Sequence, residues 1–208
     1  MRKPFLMVAL FAGALLVALW AVAAPAATLD DMNMPGMSMP LKSAMPGMSV
    51  YNLSTRWTNQ AGKQVDIASL RGAPLVMAMV YTNCKDVCPL TTERMQEVEA
   101  ALPAKARGSV RFALFSMDWV RDTPQVLAKF AAEHHIDLAH WALFHGDESA
   151  VRKLAAVLGV SLYRDANGDF QHSIAIFLLD SDGVVQMSDT DLQKPPAAIT
   201  AKIRTLVK

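Results

Sequence analysis

The most constraining feature of this chain is a hydrophobic run of strand length, Leu75–Tyr81, which leads directly into a pair of cysteines. Gly72 and Pro74 precede the run, and an unbroken apolar segment bounded by such residues indicates a strand buried on both faces. The segment Leu90–Leu102 then spaces apolar residues among polar ones, as an amphipathic helix does. The sequence therefore predicts a buried strand joined to a helix through a short cysteine-containing loop.

Further strands and helices alternate along the chain up to its C-terminus. We predict three helices, from Pro124 to about His134, over Glu148–Leu158 and over Pro196–Val207, and strands over Val110–Met117, Trp141–Phe144, Ser173–Leu179 and Val184–Met187. Turns are predicted at Asn59–Gly62, Asn167–Gly168 and Asp182–Gly183. This order indicates an α/β fold with a mixed central sheet and helices on both faces. Such sheets place their chemistry in loops at the carboxyl ends of strands, where the cysteines lie.

The N-terminal residues 1–27 have the pattern of a signal peptide or a membrane anchor. Arg2 and Lys3 precede the apolar run Phe5–Val22, and small residues suited to signal peptidase follow. The run is also long enough to span a bilayer, so residues 5–24 could remain as an anchor, although the well-placed small residues favour cleavage. Either alternative predicts an exported protein whose body is periplasmic or otherwise extracytoplasmic.

The charge balance argues against nucleic acid as a partner. The net charge is +1, and it becomes −1 without residues 1–27, which contain two cations and no acids. A near-neutral domain lacks the basic surface that binds phosphate backbones. We expect contact with a membrane only through the N-terminal segment, if it is retained.

Residues 28–50 form a distinct methionine-rich segment ahead of a domain that we place at 51–208. The sequence Met34-Pro35-Gly36-Met37-Ser38 recurs as Met45-Pro46-Gly47-Met48-Ser49, without a helical or strand period. One interpretation is a compositionally biased flexible linker. The other is a set of thioether ligands for a soft cation such as Cu(I). The methionines concerned are Met32, Met34, Met37, Met39, Met45 and Met48.

The two cysteines of the chain, Cys84 and Cys88, are separated by three residues and followed by Pro89. A disulfide across so short a loop would constrain the unfolded chain very little, so a purely stabilising role is excluded. A thiol at a helix N-terminus is reactive, because the helix dipole favours the thiolate. The pair could bind a soft metal, or cycle between dithiol and disulfide.

His172 precedes the predicted fourth strand, and it is the candidate for a third ligand. Two thiolates and one imidazole suit copper in either oxidation state, with zinc as a competitor. The remaining histidines have simpler explanations: His134 and His135 end a helix, and His140 and His145 flank a short strand near the surface.

Asp118, Arg121 and Asp122 follow the predicted strand Val110–Met117 and precede a helix N-terminus. We interpret them as loop hydrogen-bonding and helix-capping groups. The alternative is that they support the site without touching the metal.

Three separated motifs resemble the Sco/SenC family. They are the cysteine segment Tyr81–Pro89, the segment Ser116–Pro124 with its Ser-Met-Asp and Arg-Asp-Thr-Pro sequences, and the segment His172–Asp180. The resemblance runs from about Trp57 to the C-terminus. Lys85 stands where the family usually has proline, and Trp119 stands where proline usually follows the aspartate.

The resemblance implies a thioredoxin-like fold in which copper is held by two cysteines and a distant histidine, here Cys84, Cys88 and His172. It also implies a copper metallochaperone that passes copper by ligand exchange. Its partner would be a cytochrome c oxidase subunit, at the CuA centre, or another periplasmic copper protein. A periplasmic thiol reductant is a further expected partner, because export exposes the cysteines to oxidation.

An enzymatic alternative is a thiol–disulfide oxidoreductase that reduces the cysteines of a metalloprotein target. Two features weigh against it as the main role. The cysteines have the spacing CxxxC rather than CxxC. No proline lies between Pro124 and Pro195, so the proline that thioredoxin-like oxidoreductases set opposite their cysteines has no candidate. A peroxidase-like thiol enzyme has no distinguishing residue in this sequence.

Overall fold

A computed structural model describes residues 47–166 and 169–207. These residues form nine strands, β1 (Arg56–Asn59), β2 (Gln64–Asp66), β3 (Leu75–Val80), β4 (Arg111–Ser116), β5 (Trp141–Gly146), β6 (Leu162–Arg164), β7 (Phe170–His172), β8 (Ile176–Leu179) and β9 (Val185–Asp189). Seven of them make one sheet in the order β2-β1-β5-β4-β3-β8-β9, and β6 and β7 make a separate two-stranded hairpin. The helices are α1 (Val87–Ala100), α2 (Ala104–Arg107), α3 (Pro124–Glu133), α4 (Glu148–Leu158) and α5 (Ala197–Leu206).

Strand β3 lies in the middle of the core. It pairs in parallel with β4 and antiparallel with β8, and all six of its residues are buried. Because successive side chains of a strand point to opposite faces, this burial means that both faces of the sheet are covered here. The expected mixed α/β sheet is confirmed, and its central strand is the apolar run that the sequence singles out.

The predicted helix boundaries agree with local capping interactions. The Thr123 side chain accepts a hydrogen bond from the Val126 amide, with Pro124 at the first helical position of α3. Helix α4 ends at Gly159, which has a φ of 73°. Helix α1 differs, because it begins at Val87 rather than near Leu90. Pro89 is tolerated there since the first-turn amides have no intrahelical acceptor.

Two hairpins are absent from the sequence-based prediction. Strands β1 and β2 pair around a turn whose residues we expected, and β6 pairs with β7. The fourth predicted strand, Ser173–Leu179, is correspondingly wrong at its start: β8 begins only at Ile176, and His172 belongs to β7. Strands of three or four residues are too short to show a clear period of two, so the sequence does not reveal these two hairpins.

The folded part of the chain begins before residue 51, where we placed the domain boundary. The Val50 amide donates to the carbonyl of Gly183 at 3.0 Å, and the Ser49 hydroxyl donates to the carbonyl of Asp182. Val50 and Tyr51 are buried. Ser49 and Val50 therefore belong to the folded domain, where they contact the turn between β8 and β9.

The predicted leader, residues 1–27, lies outside the described residues. Among the helices that the structure does describe, none is long and apolar enough to cross a membrane.

The turn between β8 and β9 provides a stability prediction. Gly183 has a φ of 80°, and a methyl group added to it would lie 2.5 Å from the Tyr51 ring. Gly62 has a similar φ of 79° but open space around it. We expect Gly183→Ala to lower the free energy of unfolding by roughly 2 to 4 kcal/mol, and Gly62→Ala by about 1 kcal/mol.

Chemical denaturation of the two variants measures this difference. Because Gly183 and Gly62 have nearly the same φ, the extra loss of unfolding free energy in Gly183→Ala reports the contact with Tyr51. Equal losses in the two variants would show that the segment around Tyr51 is not packed on this turn.

Candidate functional site: a dithiol at the start of helix α1

The two cysteines lie where the chain leaves β3 and begins α1. The Cys84 amide donates to the carbonyl of Tyr81 at 3.2 Å, which closes a tight turn after the strand. Cys84 is partly exposed, whereas Cys88 lies in the first turn of α1 and is 1% exposed. Both are free thiols in the structure. The strand–loop–helix connection thus presents one sulfur to solvent and keeps the second behind it.

The sulfur of Cys84 is surrounded by hydrogen-bond donors. The Cys88 amide donates to it at 3.4 Å. The hydrogen bond from the Cys88 thiol lowers the pKa of Cys84 most strongly; burial opposes this, and the amides of Cys88, Asp86 and Val87 lower the pKa further. The resulting pKa of Cys84 is about 5. Cys84 is therefore a thiolate at neutral pH, as a nucleophile or a metal ligand must be.

Cys88 has the opposite character. Its pKa is raised well above the ordinary value, because its thiol donates the hydrogen bond to Cys84, because it is buried, and because the Cys84 thiolate repels a second negative charge. The pair shares one proton. It can react in two ways: Cys88 can lose its proton when a soft cation binds both sulfurs, or both sulfurs can join in a disulfide.

His172 reaches the same cleft from hairpin β6–β7. Its Nδ1 lies 2.9 Å from the carbonyl oxygen of Ser173. Since a carbonyl can only accept, Nδ1 carries the proton and the lone pair is on Nε2. Burial lowers the pKa of His172, so the ring is neutral and suited to ligate a metal.

The cleft has a volume of about 180 Å³. It is lined by Tyr81, Cys84, Asp86, Val87, Phe170, Gln171 and His172. Cys84 and His172 thus face a common space, with Cys88 behind Cys84. Within residues 47–166 and 169–207, however, no three Cys, His, Asp or Glu side chains are close enough to form a metal-binding group. The structure brings the two cysteines together and places His172 in the same cleft, but the three side chains are not close enough to bind one ion as they stand.

The histidines that the sequence did not assign as ligands lie elsewhere in the fold. His140 binds Glu99 through Nδ1 at 3.2 Å, His134 ends α3 against the Phe130 ring, and His145 lies in β5. None of the histidines described apart from His172 lines the cleft. Met48 is exposed ahead of Ser49. The remaining candidates of the methionine-rich segment lie outside the described residues: Met32, Met34, Met37, Met39 and Met45.

Asp122 supports the cysteine loop. The sequence analysis gave such a supporting role only as the alternative to helix capping. Its buried carboxylate accepts from the Thr82 amide at 3.0 Å and from the hydroxyls of Thr82 and Ser116, each at 2.5 Å. It therefore fixes the chain two residues before Cys84, while Thr123 caps the helix. Asp118 accepts from the amides of Val120 and Arg121, as a loop hydrogen-bonding group does.

A central buried strand that leads into two thiols at a helix N-terminus, in a mixed α/β sheet, defines a thioredoxin-like protein with a dithiol site. The chain belongs to the SCO1/SenC family, whose sequence profile matches residues 48–208. The resemblance seen in the motifs is thereby confirmed.

Individual relatives agree with this assignment. A SCO1 protein homolog from Bacillus subtilis is 29% identical over 141 residues, covering 66% of this chain and 72% of the relative. The structure of Bradyrhizobium japonicum ScoI with copper bound has a TM-score of 0.62 at 28% identity, covering 73% of this chain and 96% of that one. BsSco is described as a member of the Sco family of cytochrome c oxidase assembly proteins, and a disulfide switch was identified in it. Its structure has a TM-score of 0.66 at 25% identity, covering 80% of this chain and 99% of that one.

The asymmetry of the dithiol predicts how Cys84 responds to a change at Cys88. The wild-type rate of Cys84 alkylation should rise with pH around a midpoint near 5, the pKa of Cys84. We expect Cys88→Ala to move this midpoint upward, because the largest hydrogen bond to the thiolate is lost. Cys88→Ser keeps a donor at the same place and should shift the midpoint less.

The pH dependence of alkylation by a neutral reagent, with mass spectrometry to identify the modified residue, measures these midpoints. Identical midpoints in all three proteins would refute the role of the Cys88 thiol.

Proposed function

We propose that this protein is a periplasmic copper metallochaperone that holds copper on Cys84, Cys88 and His172. The observation that carries the proposal is the pairing of a low-pKa thiolate with a second thiol at its side, in a cleft that also contains a neutral imidazole. Copper is the cargo of this site rather than a permanent cofactor. Because Cys84 is partly exposed, a partner's ligands would have access to its sulfur.

The chemistry of the donors favours copper over zinc. Two thiolates and an imidazole form a soft to borderline set with three members, which suits Cu(I) and Cu(II). Structural zinc takes four protein ligands in a tetrahedron, and the described cleft offers no fourth Cys or His. The copper-bound state of the related Bradyrhizobium japonicum ScoI supports the same choice.

Delivery would proceed by ligand exchange with an exported copper protein. A partner thiolate or imidazole would bind copper first beside Cys84, and Cys88 would recover its proton as the metal leaves. The description of BsSco as belonging to a family of cytochrome c oxidase assembly proteins supports a cytochrome c oxidase subunit, at its CuA centre, as the recipient. The leader-like residues 1–27 support a periplasmic location, by export or by an anchor at residues 5–24.

Removal of His172 tests the ligand set. The reduced wild-type protein should bind about one copper at the folded domain. His172→Ala should weaken that site by at least about 10- to 100-fold, the loss seen when groups that only support a metal ligand are removed. The matched control is His140→Ala, a surface histidine away from the cleft.

Copper titration against a competing chelator measures the affinities, with spectra of each variant. An unchanged site in His172→Ala would refute the third ligand. In a protein whose Met32, Met34, Met37, Met39 and Met45 are replaced by Leu, copper binding that survives Cys84→Ser/Cys88→Ser would refute the dithiol as the main donor.

A thiol–disulfide oxidoreductase remains the second candidate, and the contact between the two cysteines favours it. The Cys84 thiolate could attack a disulfide of a metalloprotein target and release one of its thiolates. Attack of Cys88, after loss of its proton, on the mixed disulfide would then release the second target thiolate and leave Cys84–Cys88 oxidised. A thiol reductant would be needed to restore the pair. Disulfide reductase activity that is strong and unaffected by His172→Ala would favour this enzyme over the chaperone.

The methionine-rich segment is proposed to collect copper for the domain. Thioethers select Cu(I), and a segment rich in Pro and Gly supplies no other evident use for six methionines in residues 28–50. Because Ser49 and Val50 are part of the fold, deleting the whole segment would also damage the domain.

We therefore predict the effect of replacing Met32, Met34, Met37, Met39 and Met45 by Leu, which keeps the chain length and its apolar character. The variant should bind less Cu(I) per protein than wild type, with an unchanged affinity at the dithiol. Equal Cu(I) stoichiometry, measured by titration of both reduced proteins, would leave the segment as a linker only.

A further inference from the structure

Hairpin β6–β7, which carries His172, shares no strand pairing with the seven-stranded sheet among the described residues. Its strands pair only with each other, in the register Leu162 to His172 and Arg164 to Phe170. The position of the imidazole over the cleft therefore depends on contacts that hold the hairpin to the rest of the domain. Two sets of such contacts come from one segment, Asp118–Asp122, between β4 and α3.

The first contact is ionic. The Nε of Arg121 binds the fully buried carboxylate of Asp118. The Nη1 and Nη2 of the same guanidinium lie 3.4 and 3.5 Å from Oδ1 of Asp169, the residue that precedes β7. Asp169 is itself held in the hairpin, because its amide donates to Asp165 at 2.9 Å. The rigid planar guanidinium thus links a fixed point of the domain to the start of β7.

The second contact is aromatic. The Trp119 ring packs edge-on against Phe170 with centroids 5.3 Å apart, and Phe170 packs on Tyr81 at 5.5 Å. Tyr81 in turn packs edge-on against His172 at 6.1 Å. Phe170 and His172 are two residues apart on one strand, so they share a face, and both are buried. The aromatic chain therefore runs from Trp119 to the imidazole.

Trp119 also contacts two arginine side chains, one from β6 and one from α4. The guanidinium of Arg164, in β6, lies 5.7 Å from the Trp119 ring centroid, and that of Arg152, in α4, lies 5.5 Å from it. Cation–π contacts of this kind add to the apolar packing. The proline that the family usually has at this position could make neither contact.

We propose that Trp119 and Arg121 are positioning residues that hold hairpin β6–β7 so that His172 faces Cys84. The inference rests on the proposed copper site. Asp122, in the same segment, binds Thr82 beside the cysteine loop. One segment thus fixes both sides of the cleft: the dithiol side through Asp122, and the imidazole side through Trp119 and Arg121.

The test separates positioning from general stability through variants combined with His172→Ala. Trp119→Leu removes the aromatic contact, and Asp169→Asn removes the ion pair without disturbing the bond between Arg121 and Asp118. Each should weaken copper binding about 10-fold, the lower end of the loss expected when support of a metal-ligating histidine is removed. Neither should weaken it further in the His172→Ala background, because the ligand that they position is gone.

Two conservative changes serve as controls. Trp119→Phe keeps a ring and should restore most of the affinity lost in Trp119→Leu. Asp191→Asn breaks an ion pair of similar kind, with Lys194, at a surface outside the cleft lining, and should change nothing. In the metal-free protein, the imidazole NMR resonances of His172 should shift in Trp119→Leu, while the alkylation midpoint of Cys84 stays constant.

The outcomes distinguish this proposal from the function on which it rests. Wild-type protein that binds no copper at the dithiol would overturn the proposed function. Wild-type binding together with unchanged affinity in Trp119→Leu and Asp169→Asn would overturn the positioning role alone. Equal losses with and without His172 would also overturn it, since they would show a general structural effect.

Discussion

The burial of β3 on both faces is the constraint on which the site depends. A strand covered on both sides can leave the sheet only at its end, and the following helix must pack back on the sheet. The turn between them brings the Cys84 sulfur against the first amides of α1 and the Cys88 thiol. The low pKa of Cys84 is thus a consequence of the fold. Its main causes are the hydrogen bonds from the Cys88 thiol and from the first amides of α1, rather than a charged neighbour.

Because Cys84 and Cys88 share one proton, the dithiol has two alternative reactions. Binding of a soft cation and closure of a disulfide both remove the proton from Cys88, and both use the same two sulfurs. They are therefore mutually exclusive. On the proposed function, an exported protein with this site would have to be kept reduced in order to be loaded, which would connect copper binding to the redox state of its compartment. This exclusion explains why a thiol reductant belongs among the proposed partners.

The sequence predicted the elements that depend on local patterns. The run Leu75–Tyr81, the Thr123–Pro124 helix start and the Asp182–Gly183 turn each carry a strong signal, and each appears in the structure. The site was predicted less completely. His172 was expected just before β8, yet it belongs to a hairpin whose three-residue strands show no period.

Contacts between distant segments are the part that sequence patterns do not encode. Nothing near Asp122 indicates that its carboxylate binds Thr82, forty residues earlier. Trp119 attracts notice only as a departure from the family's pattern, and its packing on Phe170 becomes visible only in three dimensions. The Asn167–Gly168 turn that we predicted lies outside the described residues.

The central claim is that copper is bound by both cysteines and His172 together. X-ray absorption of the reduced, copper-loaded protein measures this most directly, in the variant whose five leading methionines are replaced by Leu. The account predicts a copper ion with two sulfur neighbours and one imidazole, and loss of both sulfur signals in Cys84→Ser/Cys88→Ser. A copper environment without sulfur, or one that is the same after both cysteines are replaced, would contradict it.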